Sequence, residues 1–274
     1  MACQPGAGAE TMSRSGEPLL ELRLSVDYRG GSGVLQTFEL TIAEGELIGL
    51  AGQSGSGKST LALAILGLLD ERRARIEGSI RFRQQELLGL GERQWRSIRG
   101  RRIALVFQSA VSSLTPTMRL GDQIREAWQA HSNHPAEWRM ETASTLGAVG
   151  LPTDDSFLRL FPRELSVGMA QRFLAAMAVL HKPDLLIADE PTSALDVITQ
   201  SELLKLFQSL NSQHGTAILF ITHDIAVAAS FCHRIAILHD GAIVESGAPA
   251  TVLTNPREEY TKRLVSAVPQ WNLG

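Results

Sequence analysis

Cysteine is nearly absent from this chain: 274 residues contain two, Cys3 and Cys232. One stands in a small, polar amino-terminal stretch and the other in an apolar run. That usage fits a reducing compartment better than a disulfide scaffold, and no cysteine spacing suggests a metal site. A surplus of one charge is missing too, since the formal net charge is -3 at pH 7. The chain therefore offers no bulk electrostatic attraction to nucleic acid, and no nucleic-acid partner is expected. No apolar run reaches the roughly eighteen residues that a bilayer-spanning helix needs, so any membrane role is expected to go through partners. The first 18 residues lack the basic region and apolar stretch of a secretory signal and read as a tail outside the fold.

What is present is 44% apolar against 20% charged residues, enough for a large buried core in one big domain or two small ones. Ordered patterning begins near Leu19, where LLELRLSVDY alternates as a half-buried strand does. A turn over 29–33 leads to a second strand from Val34 to Ile42, and Glu46 to Ala51 reads as a buried strand entering a glycine-rich loop and a helix. From about 108 to 168 strand patterns give way to helical ones, at Leu120 to His131 and Glu137 to Val149, which predicts a helical insertion. Apolar strands return at Leu185 to Ala188, Ala217 to Thr222 and Ile235 to Leu238, separated by helix-length segments. This order predicts an α/β fold with a parallel sheet. No internal repeat is visible, so one catalytic unit per chain is the simplest organisation.

Residues 52–59, Gly-Gln-Ser-Gly-Ser-Gly-Lys-Ser, fit the pattern G-x-x-x-x-G-K-[ST] between a buried strand and a helix. Glycines there let backbone N–H groups curl around phosphate oxygens, and the helix adds its positive N-terminal end. Gly52, Ser54, Gly55, Ser56, Gly57, Lys58, Ser59 and Thr60 are the candidate nucleotide contacts, with Lys58 on the outer phosphates and Ser59 on a Mg²⁺ ion. The nucleotide implied is ATP. The apolar strand ending in Asp189-Glu190 presents two carboxylates on the phosphate side of such a sheet. Asp189 suits an indirect hold on Mg²⁺, and Glu190 suits positioning and polarising the attacking water.

With these elements placed, the stretch from about Leu19 to Pro269 resembles the ATP-binding subunits of ABC transporters. The resemblance implies a P-loop NTPase cassette over 19–248, with a RecA-like core, an antiparallel β subdomain and an α-helical subdomain at about 109–170. Gln108 matches the Q-loop glutamine, which senses magnesium and the γ-phosphate, and His223 matches the switch histidine. Ser193 to Asp196 resembles the D-loop, and Tyr28 the aromatic that stacks on adenine. Leu165-Ser166-Val167-Gly168-Met169 resembles the signature motif, whose Ser166 and Gly168 cap the partner's nucleotide, but Val167 replaces the usual first glycine.

The segment from Gln108 to Ile124 and the tail 249–274 resemble the importers of oligopeptides, dipeptides and nickel, although Glu258 and Glu259 stand where that group has histidine and proline. This branch implies a second ATP-binding subunit, a different chain in the branch's usual pairing, two transmembrane permeases and an external binding protein. It places the chain peripherally on the cytoplasmic face of the inner membrane. The rival is a soluble ABC ATPase of an enzyme complex such as phosphonate carbon–phosphorus lyase. Three further features read as structural: a solvated basic face at Arg96, Arg99, Arg101 and Arg102, loop histidines at His131 and His134, and a core stripe of Leu174, Met177 and Leu180.

Overall fold

The computed structural model describes residues 17–29, 33–107, 113–132, 134–193 and 195–267. Gln108, Pro269 and nearly all of the amino-terminal tail lie outside the described residues.

The chain builds two sheets. β1 (Leu20–Tyr28), β2 (Gly33–Ile42), β4 (Ala74–Phe82) and β5 (Gln85–Glu86) form an antiparallel sheet in the order β2-β1-β4-β5. β3 (Leu47–Ala51), β6 (Ile103–Val106), β7 (Leu185–Asp189), β8 (Ala217–Thr222), β9 (Arg234–His239) and β10 (Ala242–Gly247) form the second, in the order β10-β9-β3-β8-β7-β6. Its inner strands run parallel, and only β10 pairs antiparallel, at one edge.

The period of two residues along a strand divides the central strands between two cores. Leu185 and Ile187 of β7, with Leu219 and Ile221 of β8, face a core shared with the antiparallel sheet, where Phe38 and Phe82 are fully buried. Leu186 and Ala188, with Ile218 and Phe220, face the opposite core, which the helical insertion covers. Both faces of β3, β7 and β8 are therefore dry, which explains why these strands read as continuous apolar runs.

The insertion contains α3 (Leu120–Gln129), α4 (Trp138–Ala148), α5 (Asp155–Leu158) and α6 (Val167–Val179), following α1 (Lys58–Ile65) and α2 (Glu92–Trp95). Its buried polar side chain Gln123 is satisfied by the turn before α3. Its Oε1 accepts from Thr115 N at 2.9 Å, and its Nε2 donates to the carbonyls of Thr115 and Met118. The core face of α6 is Ala170, Phe173, Ala176 and Val179. Leu174 and Met177 are only partly buried at its flank, one helical position away from the expected stripe, while Leu180 is buried.

The basic cluster is not simply a solvated face. Arg99 stacks on Trp95 and donates to the carbonyls of Leu66 and Gly67, closing the end of α1, and Arg102 pairs with Asp184 above the Phe82 ring. His131 likewise meets His181 edge to ring, and His181 stacks on Trp128. After α7 (Val197–His214) and α8 (Ile225–Phe231), the chain ends in α9 (Pro249–Thr254) and α10 (Glu259–Ser266), whose Val252 and Tyr260 join the helical-side core.

Candidate active site

All five residues of β3 are buried, so the strand delivers the loop after it to a fixed point at the carboxyl edge of the parallel sheet. The loop's shape depends on glycine at two places. A Cβ on Gly52 would collide with the Leu238 carbonyl oxygen, and Gly57 has φ +104° with Leu35 Cδ2 only 2.7 Å from where its Cβ would lie. Helix α1 starts at Lys58 with no side-chain cap, which leaves its first N–H groups aimed into the loop.

Lys58 is 5% exposed, and its Nζ donates to the carbonyls of Gly52 and Gln53 at 2.8 Å each. Burial lowers its pKa, while the charges of Glu190 and Asp189 act in the opposite direction. Glu190 Oε1 lies 4.0 Å from the ammonium, and Glu190 Oε2 is 3.2 Å from His223 Nδ1. Ser54, Gly55, Gly57, Lys58, Ser59, Thr60, Glu190 and His223 thus line one cavity of about 420 Å³, together with Val34 from the antiparallel sheet. Glu190 itself adopts φ +45°, an uncommon conformation for a non-glycine residue, fixed by its N–H donating to Ile221 O at 2.9 Å.

Asp189 ends β7 close to Ser59, whose side chain favours its charged form against the opposing effect of burial. Its Oδ1 is buried with no hydrogen-bond partner among the described residues, and Ser56 Oγ in the loop is in the same state. A buried carboxylate oxygen, a neighbouring hydroxyl and a second unpaired hydroxyl suit a hydrated divalent cation carried by a phosphate chain.

Other expected residues lie elsewhere. Tyr28 lines a separate cleft with Leu69, Ala74 and Leu88, sharing no residue with the phosphate-loop cavity. Ser166 caps α6, accepting from Met169 N at 3.2 Å, and Asp196 caps α7, accepting from Ile198 N and Thr199 N at 3.0 Å. The two caps adjoin, because a Cβ on Gly168 would come within 2.9 Å of Thr199 Cγ2. Val167 occupies the first turn of α6 and is 48% exposed, so it points outward. Beyond α6's start, the buried Gln171 amide donates to Pro191 O, tying that helix to the segment after Glu190. The tie between Tyr260 and the phosphate loop was not anticipated, and no local signal in a pair 207 residues apart announces it.

A glycine cradle around a buried lysine, with two carboxylates and a histidine at the ends of neighbouring parallel strands, defines a P-loop nucleotide-binding ATPase. The ABC transporter family model matches residues 35–193, and the chain belongs to that family. It is 41% identical to a probable peptide ABC transporter ATP-binding protein of Sinorhizobium fredii, over 93% of this chain and 78% of that protein. It is 38% identical to the oligopeptide transport ATP-binding protein of Salmonella typhimurium, over 96% and 80% of the two chains. Among solved structures, a dimeric ATP-binding cassette in a post-hydrolysis state with ADP and phosphate matches with a TM-score of 0.73. It is 29% identical, over 84% of this chain and 98% of that one. The chain is thus an ATP-binding subunit whose ATP hydrolysis is coupled to transport.

Proposed function

We propose that this chain is the motor of an ABC importer for peptides or related small solutes. The observation that supports this most directly is its similarity, along more than nine-tenths of its length, to ATP-binding proteins of peptide and oligopeptide transport. It works with a second ATP-binding subunit, two permeases and an external binding protein, peripherally at the cytoplasmic face of the membrane. No helix among the described residues is long and apolar enough to cross a membrane.

In this reading the backbone of 52–60 and the α1 N-terminus hold the phosphates of ATP, and Lys58 neutralises the outer ones. Ser59 and Gln108 would hold Mg²⁺ directly and Asp189 indirectly, and the ion would offset negative charge on the phosphate chain. Glu190 aligns and polarises the water, and His223 keeps Glu190 oriented through their 3.2 Å contact while facing the γ-phosphate. Ser166 and Gly168 cap the nucleotide of the partner cassette, Asp196 lies at the same junction, and Tyr28 meets adenine.

The test is to isolate a tagged Glu190→Gln chain from membranes in Mg-ATP, which slows hydrolysis and holds the closed assembly. Two permeases and a second cassette should be retained. A soluble enzyme complex without membrane proteins would overturn the transport role.

A further inference from the structure

The carboxyl-terminal helix α10 touches the phosphate loop directly. Gln53 N–H donates to the Tyr260 hydroxyl at 3.0 Å, and the Tyr260 ring stacks on His239 with centroids 3.8 Å apart and planes 7° from parallel. Tyr260 is 7% exposed, so its ring is held rather than free to rotate. The same N-terminal end of the helix is also fixed by Glu245 of β10, whose carboxylate accepts from Arg257 N at 3.0 Å and Glu258 N at 3.2 Å. Between α10 and the segment after β8 lies a cleft of about 570 Å³, walled by Arg263 and Leu264 on one side and by His223 and Asp224 on the other.

Gln53 is where this contact acts on the chemistry. The carbonyls of Gly52 and Gln53 are the two acceptors of Lys58 Nζ, and the Gln53 N–H shares its peptide plane with the Gly52 carbonyl, so fixing that peptide from behind fixes the orientation of one of the lysine's acceptors. The loop is then anchored at three points: the β3 strand, the α1 helix and the carboxyl-terminal helix. We propose that Tyr260 is a positioning residue for ATP binding, holding the entry of the phosphate loop in its nucleotide-ready shape through the Gln53 amide. Order supplied in advance by α10 need not be supplied by the nucleotide.

The Gln53–Tyr260 bond is part-buried and both residues line the cleft, so water can take the place of a missing tyrosine oxygen and the fold loses little. The consequence appears in affinity. This inference rests on the nucleotide site described above, and ADP titration of the purified full chain with Mg²⁺ present tests both. Tyr260→Phe is expected to weaken ADP binding about two- to tenfold, the range of one neutral hydrogen bond, with the melting midpoint of the nucleotide-free chain unchanged. ATPase KM should rise more than kcat falls. His239→Ala should weaken ADP binding in the Tyr260 chain and add nothing in the Tyr260→Phe chain, because both act through one hydroxyl. Wild-type affinity in Tyr260→Phe, or a full additive effect of His239→Ala, would overturn the positioning role while leaving the site intact. A wild-type chain that binds no ADP would overturn the site itself.

Discussion

Burial raises the Asp189 carboxyl above its ordinary range; the Ser59 hydrogen bond and Lys58 charge oppose the shift, and the Glu190 charge adds to it. A carboxyl whose folded pKa lies above its unfolded value costs stability in full at pH above the folded pKa, and the cost falls away as pH drops from the folded pKa to below the unfolded one. Asp189→Asn should therefore melt higher than wild type at neutral pH without nucleotide, and the difference should shrink on acidification. The same substitution should abolish Mg-dependent ATP hydrolysis, a trade of stability against function at one atom. Thermal melts across the pH range and a turnover assay check both halves; an asparagine variant that melts lower at neutral pH would contradict the burial argument. Glu190→Gln keeps the shape that accepts from His223 but loses the charge that, in the proposed mechanism, polarises water. Turnover should drop by about 10²–10⁴-fold while ADP affinity stays within a small factor of wild type, measured by steady-state kinetics and titration.

Helix α6 is linked to the segment that follows Glu190 through Gln171, whose Nε2 serves Pro191 O and whose Oε1 is buried without a partner among the described residues. Gln171→Leu removes that unpaired oxygen at the cost of leaving a carbonyl unserved, so chemical denaturation should place its stability within about 1–2 kcal/mol of wild type. ATPase activity should fall clearly more than that change implies, because α6 then moves independently of the segment holding Glu190. The elements that carry this link were readable in different degrees. The β3–loop–α1 unit and the acidic end of β7 were legible because strand period, glycine spacing and a charged terminus are local signals. The two-sided burial of the central strands was legible for the same reason, as unbroken apolar runs. Asp196 was legible as a residue type, but its capping of α7 depends on backbone geometry that spacing does not contain. The α6 stripe shifted because Phe173, rather than Leu174, fits against Phe157 in the helical-side core. Tyr260 was visible as part of the tail that resembles the importer branch, but its contact with Gln53 was not, since only the folded chain brings the two together.

The same six-stranded sheet supplies one face to each core, so neither half of the molecule keeps its packing if the sheet comes apart. Phe220 is the clearest probe of this, fully buried between Phe207 and Phe231 with ring centroids 6.4 and 4.8 Å away. Phe220→Ala should cost about 3–5 kcal/mol, read as a lower melting midpoint with the chain still unfolding in one transition. Nucleotide acts on that same transition, because the phosphate loop hangs from β3 at the middle of the sheet and is tied to both α1 and α10. ADP at a hundred times its dissociation constant should stabilise the native chain by about 2.7 kcal/mol through mass action. Lys58→Ala should melt normally in the absence of ligand, since it removes a charge that burial disfavours, yet lose most of the ADP-dependent shift. Calorimetry with and without ADP distinguishes this from a local effect. A rise confined to one of two transitions would mean that the cores unfold separately, whereas a rise of the single transition would mean that the nucleotide is held by the sheet both cores share.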